Sequence, residues 1–228
     1  MPGDGAGGEP ALPVRESEGE KELVGEVVVE GDFSAAAYPA AAAALCGSTV
    51  RLDGLRPDSR QGDRGFIDLL GRMGARIRWW EDRPTSGLEV TGPAGGALRG
   101  VEADMSAMPD QVPTLAALAP FATGTTRILN VPHLRIKESD RLSAMAQELG
   151  RLGAQVEELP DGLVIPGIWA ERQPPDSAVE VLTYGDHRIA MSLAVVSLRR
   201  PGVAIRDPGV VGKSYPEFWR DLETLIGR

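Results

Sequence analysis

Three copies of one pattern, spaced about 77 residues apart, constrain this chain more than any other feature of its sequence. Gly47-Ser-Thr-Val-Arg-Leu52 returns as Gly124-Thr-Thr-Arg-Ile-Leu129 and again as Gly202-Val-Ala-Ile-Arg-Asp207. Leu70-Gly-Arg-Met-Gly-Ala-Arg-Ile77 returns as Leu149-Gly-Arg-Leu-Gly-Ala-Gln-Val156. Asp32, Asp110 and Asp186 each open an Ala/Leu-rich stretch in the same phase. A single such match is within the reach of chance; several in phase mark a repeated structural unit.

Each unit has a physical reading. An aspartate stands where a helix N-cap belongs, ahead of helices expected over Ser34–Leu45, Gln111–Phe121 and His187–Leu198. These helices are apolar on nearly every face and should be buried. A glycine and a β-branched strand follow. A second, amphipathic helix comes next, carrying Phe66, Leu69, Leu70 and Met73, then Leu142, Met145, Leu149 and Leu152, then Phe218, Leu222, Leu225 and Ile226. Met73-Gly74-Ala75 and Leu152-Gly153-Ala154 read as C-caps. Paired strands follow, Arg76–Trp80 with Leu88–Thr91 and Gln155–Glu158 with Leu163–Ile165, turning at Asp82-Arg83-Pro84 and Pro160-Asp161-Gly162. The predicted unit is therefore β-α-β-α-β-β, at about 26–100, 101–180 and 181–228. Glu26–Glu30 supplies the first strand, and the third copy stops after its second helix. The fold class is α/β.

Ahead of the repeats, Met1–Gly25 holds six glycines, three prolines, six acidic and two basic residues with no hydrophobic period. It reads as a disordered acidic leader. The net charge of −9 argues against sequence-independent binding of nucleic acid. No apolar run is long enough for a membrane span, so no membrane partner is expected. One cysteine, Cys46, excludes an internal disulfide and a Cys-rich zinc site, and its apolar neighbours suggest an inert thiol. With no signal-peptide pattern, the expected location is the cytoplasm. No dinucleotide or Walker glycine loop and no metal-ligand spacing is present.

The unusual polar residues fall at helix starts: Asp110, Asp186-His187-Arg188, Lys137-Glu138-Ser139-Asp140-Arg141 and Gly212-Lys213-Ser214. Free backbone N–H groups and the helix dipole favour anions at such ends. Arg141, Arg188 and Lys213 would add three cations, making a basic pocket for a small, multiply anionic substrate. Asp110 and Glu138 would then stand beside it, with burial and cations pulling their acidity in opposite directions, as acid–base chemistry requires. Plainer readings stay open. Asp32, Asp110 and Asp186 read equally well as N-caps, residues 137–141 as a solvated capping segment, His187 as a packed histidine, and Trp79 and Trp80 as sheet core and edge.

At these residues the chain resembles the 5-enolpyruvylshikimate-3-phosphate synthase family, in its C-terminal half. The markers are Val29-Glu-Gly-Asp-Phe-Ser-Ala-Ala36, Ser59-Arg-Gln-Gly-Asp63, Asp104-Met-Ser-Ala-Met-Pro-Asp110, Arg135-Ile-Lys-Glu-Ser-Asp-Arg141, Gly185-Asp-His-Arg-Ile-Ala-Met191 and Gly212-Lys-Ser-Tyr-Pro216. The fourth and fifth also separate it from the UDP-N-acetylglucosamine enolpyruvyl transferases. The resemblance implies an enolpyruvyl transferase-like, inside-out α/β domain of three βαβαββ repeats around a pseudo-threefold axis. It implies transfer of the enolpyruvyl group of phosphoenolpyruvate to the 5-hydroxyl of shikimate 3-phosphate, without cofactor. Asp110 matches the family's proton acceptor and Glu138 its proton-transfer residue at the methylene. Lys137 matches a residue at the shikimate phosphate, and Arg141, Arg188 and Lys213 match the phosphoenolpyruvate clamp. His133 stands where the family usually has Asn near shikimate. The family's N-terminal half has no match here, so the implied partner is a separately supplied N-terminal half. A non-catalytic anion-binding or interaction module is the other reading.

Overall fold

The computed structural model describes residues 14–17, 20–23, 29–82, 85–225 and 227. Val14–Ser17 (β1) and Glu20–Leu23 (β2) pair antiparallel, with Arg15 opposite Glu22 and Glu16 opposite Lys21. A hairpin thus stands inside the segment expected to be a disordered leader. The two strands form a sheet of their own. Of the strand expected at Glu26–Glu30, residues 26–28 lie outside the described residues, and 29–30 belong to no strand.

The first unit then runs through α1 (Phe33–Cys46), β3 (Thr49–Asp53), α2 (Gly65–Arg72), β4 (Arg76–Asp82) and β5 (Thr85–Thr91). The second has β6 (Glu102–Asp104), α3 (Val112–Leu118), β7 (Thr125–Leu129), α4 (Arg141–Arg151), β8 (Glu157–Leu159), β9 (Gly162–Pro166) and a short α5 (Ile168–Glu171). The third has β10 (Val179–Val181), α6 (His187–Ser197), β11 (Val203–Ile205) and α7 (Phe218–Leu225).

Sheet order reproduces the repeat. The first unit is ordered β3-β5-β4 and the second β6-β7-β9-β8, so β7-β9-β8 is the first unit's arrangement over again. In the second and third units the strands on either side of the buried helix, β6 with β7 and β10 with β11, run parallel. A parallel pair needs a crossover, and α3 and α6 are those crossovers.

The core sits among the first helices of the units. α1, α3 and α6 touch one another pairwise and are buried over most of their length. Ala36, Ala37 and Ala40–Ala44 explain how α1 can do this: small side chains of high helix propensity let neighbours approach closely. Burial in β3 and β7 alternates along the strand, one face on the core and one in solvent. This is the inside-out α/β architecture, with helices around a pseudo-threefold axis and sheets outside. At its far end Arg199 donates to the carbonyls of Leu45 and Gly96, each at 3.2 Å, and stands over the Phe121 ring at 5.5 Å, joining all three units.

Asp32 and Asp186 are N-caps, accepting from the amides of Ser34 and Arg188. Gly74 and Gly153 take left-handed backbone after α2 and α4, as expected of C-caps. Trp79 packs on Phe33, and Trp80 lies under Arg51, as core and edge of the sheet. Cys46, expected in an apolar setting, is exposed, because it falls at the open end of α1. Among the described residues no helix is long and apolar enough to cross a membrane, and no cluster of His, Cys, Asp and Glu is arranged as a metal site.

Candidate active site

Asp110 departs from its two counterparts. It does not cap a helix but lies inside the 3-10 turn Pro109–Gln111 that leads into α3. Its carboxylate makes no capping bond and is 34% exposed. Oδ1 accepts from Arg141 Nη1 at 2.8 Å, and Oδ2 pairs with Arg188 Nη2 at 2.8 Å. Arg141 Nη2 in turn donates to Glu138 Oε2 at 2.8 Å, and Lys213 Nζ to Glu138 Oε1 at 2.6 Å. The result is an alternating row: Arg188, Asp110, Arg141, Glu138, Lys213.

The row is anchored from below. Arg141 is 1% exposed and its Nε donates at 2.8 Å to Asp186, which is fully buried. Ser139 Oγ donates to the same oxygen, Oδ2 of Asp186, at 3.1 Å. Asp186 so serves twice, as cap of α6 and as counter-ion of Arg141. The pattern Asp-His-Arg shows the cap; only the fold shows the counter-ion.

The segment 135–141 divides its labour. Arg135 grips the carbonyls of Leu159 and Pro160 and the carboxylates of Asp140 and Glu158. Asp140 caps α4 through the Ser143 amide at 3.0 Å. These two fix the loop, and Glu138, Ser139 and Arg141 face the row. A solvated capping segment therefore describes only part of it. Lys137 is exposed and His133 half-buried, and neither joins the row by a hydrogen bond or ion pair.

Electrostatics refine the expected basic pocket. The three cations are present, but Asp110, Glu138 and Asp186 match them charge for charge. The Lys213 ammonium, then the Glu138 backbone amide and Arg141, hold the Glu138 carboxyl down at about 2. Burial opposes the charge on Arg141, yet Asp186 and the other carboxylates outweigh it and raise its pKa. Burial and then Arg188 push the His187 imidazole below its ordinary value, so this nearly sealed ring is held neutral. An incoming anion must take these cations from carboxylates that already hold them.

Beside Arg188 lies a cavity of about 70 Å³ lined by Asp32, Ser34, Tyr38, Arg188, Ser214 and Tyr215 among others. It brings the start of α1, the start of α6 and the segment after Lys213 together, so helix starts from the first and third units do converge. Tyr38, buried through burial-driven packing in α1, has its hydroxyl pushed up to about 12, chiefly by burial. No sequence signal singles it out, because it reads as one more core position of α1.

Comparison with known proteins points the same way. The family profile for EPSP synthase (3-phosphoshikimate 1-carboxyvinyltransferase) matches residues 13–222. The 3-phosphoshikimate 1-carboxyvinyltransferase of Syntrophobacter fumaroxidans is 51% identical over 201 residues, covering 88% of this chain and 45% of its own length. That of Nostoc punctiforme is 45% identical, covering 84% of this chain and 42% of its own. An EPSP synthase structure from Acinetobacter baumannii superposes with a TM-score of 0.73 at 29% identity, over 92% of this chain and 50% of the other. The enolpyruvyl transferase NikO of Streptomyces tendae shares the fold, with a TM-score of 0.67 at 22% identity. The chain spans about half the length of the relatives it matches.

Proposed function

The chain belongs to the EPSP synthase family, and we propose that it supplies half of an active site for enolpyruvyl transfer from phosphoenolpyruvate to the 5-hydroxyl of shikimate 3-phosphate. The observation that carries this reading is the alternating row, which sets two carboxylates between three cations. Arg141 and Arg188 suit a carboxylate or phosphate held in two-point fashion, and Lys213 suits a point charge on the same anion.

The row also contains its own trigger. When the substrate's anionic groups draw Lys213 and Arg141 to themselves, Glu138 loses the contacts that hold its proton affinity down. In this reading it takes up a proton from solvent and passes that proton to the methylene carbon. Asp110, released by the same event, takes the proton of the attacking hydroxyl. The hydroxyl oxygen bonds to the substituted carbon as the methylene gains a proton. The resulting methyl group then returns a proton to Glu138 as the C–O bond to phosphate breaks, restoring the double bond. In this reading Lys137, exposed, meets the phosphate of shikimate 3-phosphate, and His133, half-buried, its ring. Positioning and preorganised charge carry the rate.

The remaining contacts come, in this reading, from a separately supplied N-terminal half, and the pair works in the cytoplasm. The test measures phosphate release from both substrates by the purified chain alone and with a second chain covering the first half of a relative. No release alone and release with the partner is the expected result. Turnover by the chain alone overturns the need for a partner. Binding of phosphoenolpyruvate without turnover in the mixture overturns catalysis in favour of an anion-binding module.

A further inference from the structure

The motif Ser59-Arg-Gln-Gly-Asp63 contributes no side chain to the alternating row, yet it touches the start of α1 and the turn that carries Asp110. Gln61 Oε1 accepts from the Phe33 amide at 2.9 Å, at the first residue of α1, and its amide donates to Glu30 and the Gly31 carbonyl at 3.0 and 2.9 Å. Gly62 is pressed on the loop before Asp110: a Cβ there would lie 2.3 Å from the Ala107 carbonyl oxygen. Asp63 accepts from Gln111 Nε2 at 2.8 Å and from the Ser34 hydroxyl. Gln111 is fully buried and adjoins Asp110 in the same turn, and its Oε1 accepts from Thr114 at 3.3 Å.

Asp110 is thus flanked on both sides by unit-one contacts. Residue 107 rests on Gly62, and residue 111 is tied to Asp63. Asp110 itself is held only by Arg141 and Arg188 among the described residues, and these are the groups a substrate would claim. Once they are claimed, the direction of the Asp110 carboxylate depends on its backbone turn.

We propose that Gly62 and Asp63 are positioning residues that fix the turn carrying Asp110, so that its carboxylate keeps its aim when the arginines release it. The proposal rests on the reading of Asp110 as proton acceptor. It assigns the first unit a part in the chemistry, although the first unit contributes nothing to the charged row.

The experiment has two arms. In the ligand-free arm, amide hydrogen exchange at Gln111 and Val112 is compared in the wild-type chain, Asp63→Asn, and Asp63→Asn combined with Gln111→Glu. The double variant reverses the hydrogen bond while keeping the same total charge. Asp63→Asn should speed exchange at these two amides by about tenfold, and the double variant should restore it to within about threefold. The Arg188 amide, capped by Asp186, should not change. In the catalytic arm, with the N-terminal half added, Asp63→Asn should lower kcat by about tenfold with KM for phosphoenolpyruvate within about twofold, and should have no further effect in an Asp110→Asn background. Unchanged exchange at residues 111 and 112, or an undiminished Asp63→Asn effect in the Asp110→Asn background, overturns the proposal. If the wild-type pair shows no turnover, the functional reading fails, and the exchange arm still decides whether Asp63 holds the turn.

Discussion

Arg141 Nε lies 2.8 Å from Asp186 Oδ2, and the two groups are 1% and 0% exposed. This buried pair joins the start of α4 to the start of α6 and gives the exposed part of the row its fixed base. The partners differ in what their loss leaves behind. Removing Arg141 leaves the sealed Asp186 carboxylate without a counter-ion, while Asp110 keeps Arg188 and Glu138 keeps Lys213. Arg141→Met should therefore cost about 3–5 kcal/mol. Asp186→Asn keeps the cap on α6 and an acceptor for Arg141, which still has Asp110 and Glu138, so it should cost clearly less. Urea unfolding of both variants checks the order; equal losses would mean that the Asp186 charge is as indispensable as the guanidinium and that an asparagine acceptor does not replace it.

The Glu138–Lys213 contact predicts a pH dependence. The Glu138 carboxyl is lowered from 4.5 to about 2, so the unfolded chain binds its proton first as pH falls. The contribution to stability is fully present above about 4.5, declines below it, and is gone once pH has fallen through about 2. The unfolding midpoints of wild type and Glu138→Gln should accordingly differ at pH 6 and converge toward pH 2. A constant difference across that range would place the stabilisation elsewhere.

Capping gives a third test, which separates the three aspartates of the repeat. Asp32 accepts from the Ser34 amide at 2.8 Å at the head of α1. Asp32→Ala should cost about 1 kcal/mol, the usual loss of an N-cap. Asp110 makes no such bond, and Asp110→Ala should show no capping loss. Amide hydrogen exchange in the first turn of α1 for Asp32→Ala and of α3 for Asp110→Ala decides it, because overall stability in Asp110→Ala also carries the lost pairs with Arg141 and Arg188; faster exchange in both turns would count against the distinction.

That distinction also marks the limit of reading the sequence. Repeat phase located both helices of every unit and the strand pairs β4–β5 and β8–β9, because burial and turn chemistry repeat along the chain. It placed Asp110 with Asp32 and Asp186, since position in a repeat carries no record of backbone direction. Pro109 shifts the residue into a 3-10 turn, and that shift frees the carboxylate for two arginines. Arg141, Arg188, Lys213 and Glu138 stood out by charge at helix starts. Their neutralisation was not legible, because pairing joins residues up to 78 positions apart. Gln111 and Asp63 looked like ordinary polar residues for the same reason.

The charge balance of the row leads to a prediction that an unmodified basic pocket would not make. In the free chain Asp110 occupies Arg141 Nη1 and Arg188 Nη2, each at 2.8 Å. An anion must displace it, and the Coulomb work of that exchange is subtracted from binding. Asp110→Asn keeps the shape and removes the competing charge. The chain should then bind phosphoenolpyruvate severalfold more tightly by titration calorimetry at low salt, and the gain should shrink as salt is raised. The same variant, supplied with the N-terminal half, should lose turnover because it lacks the proton acceptor. Tighter binding with lost turnover separates Asp110 from the clamp. Weaker binding would instead make Asp110 part of the platform that holds the arginines for the anion.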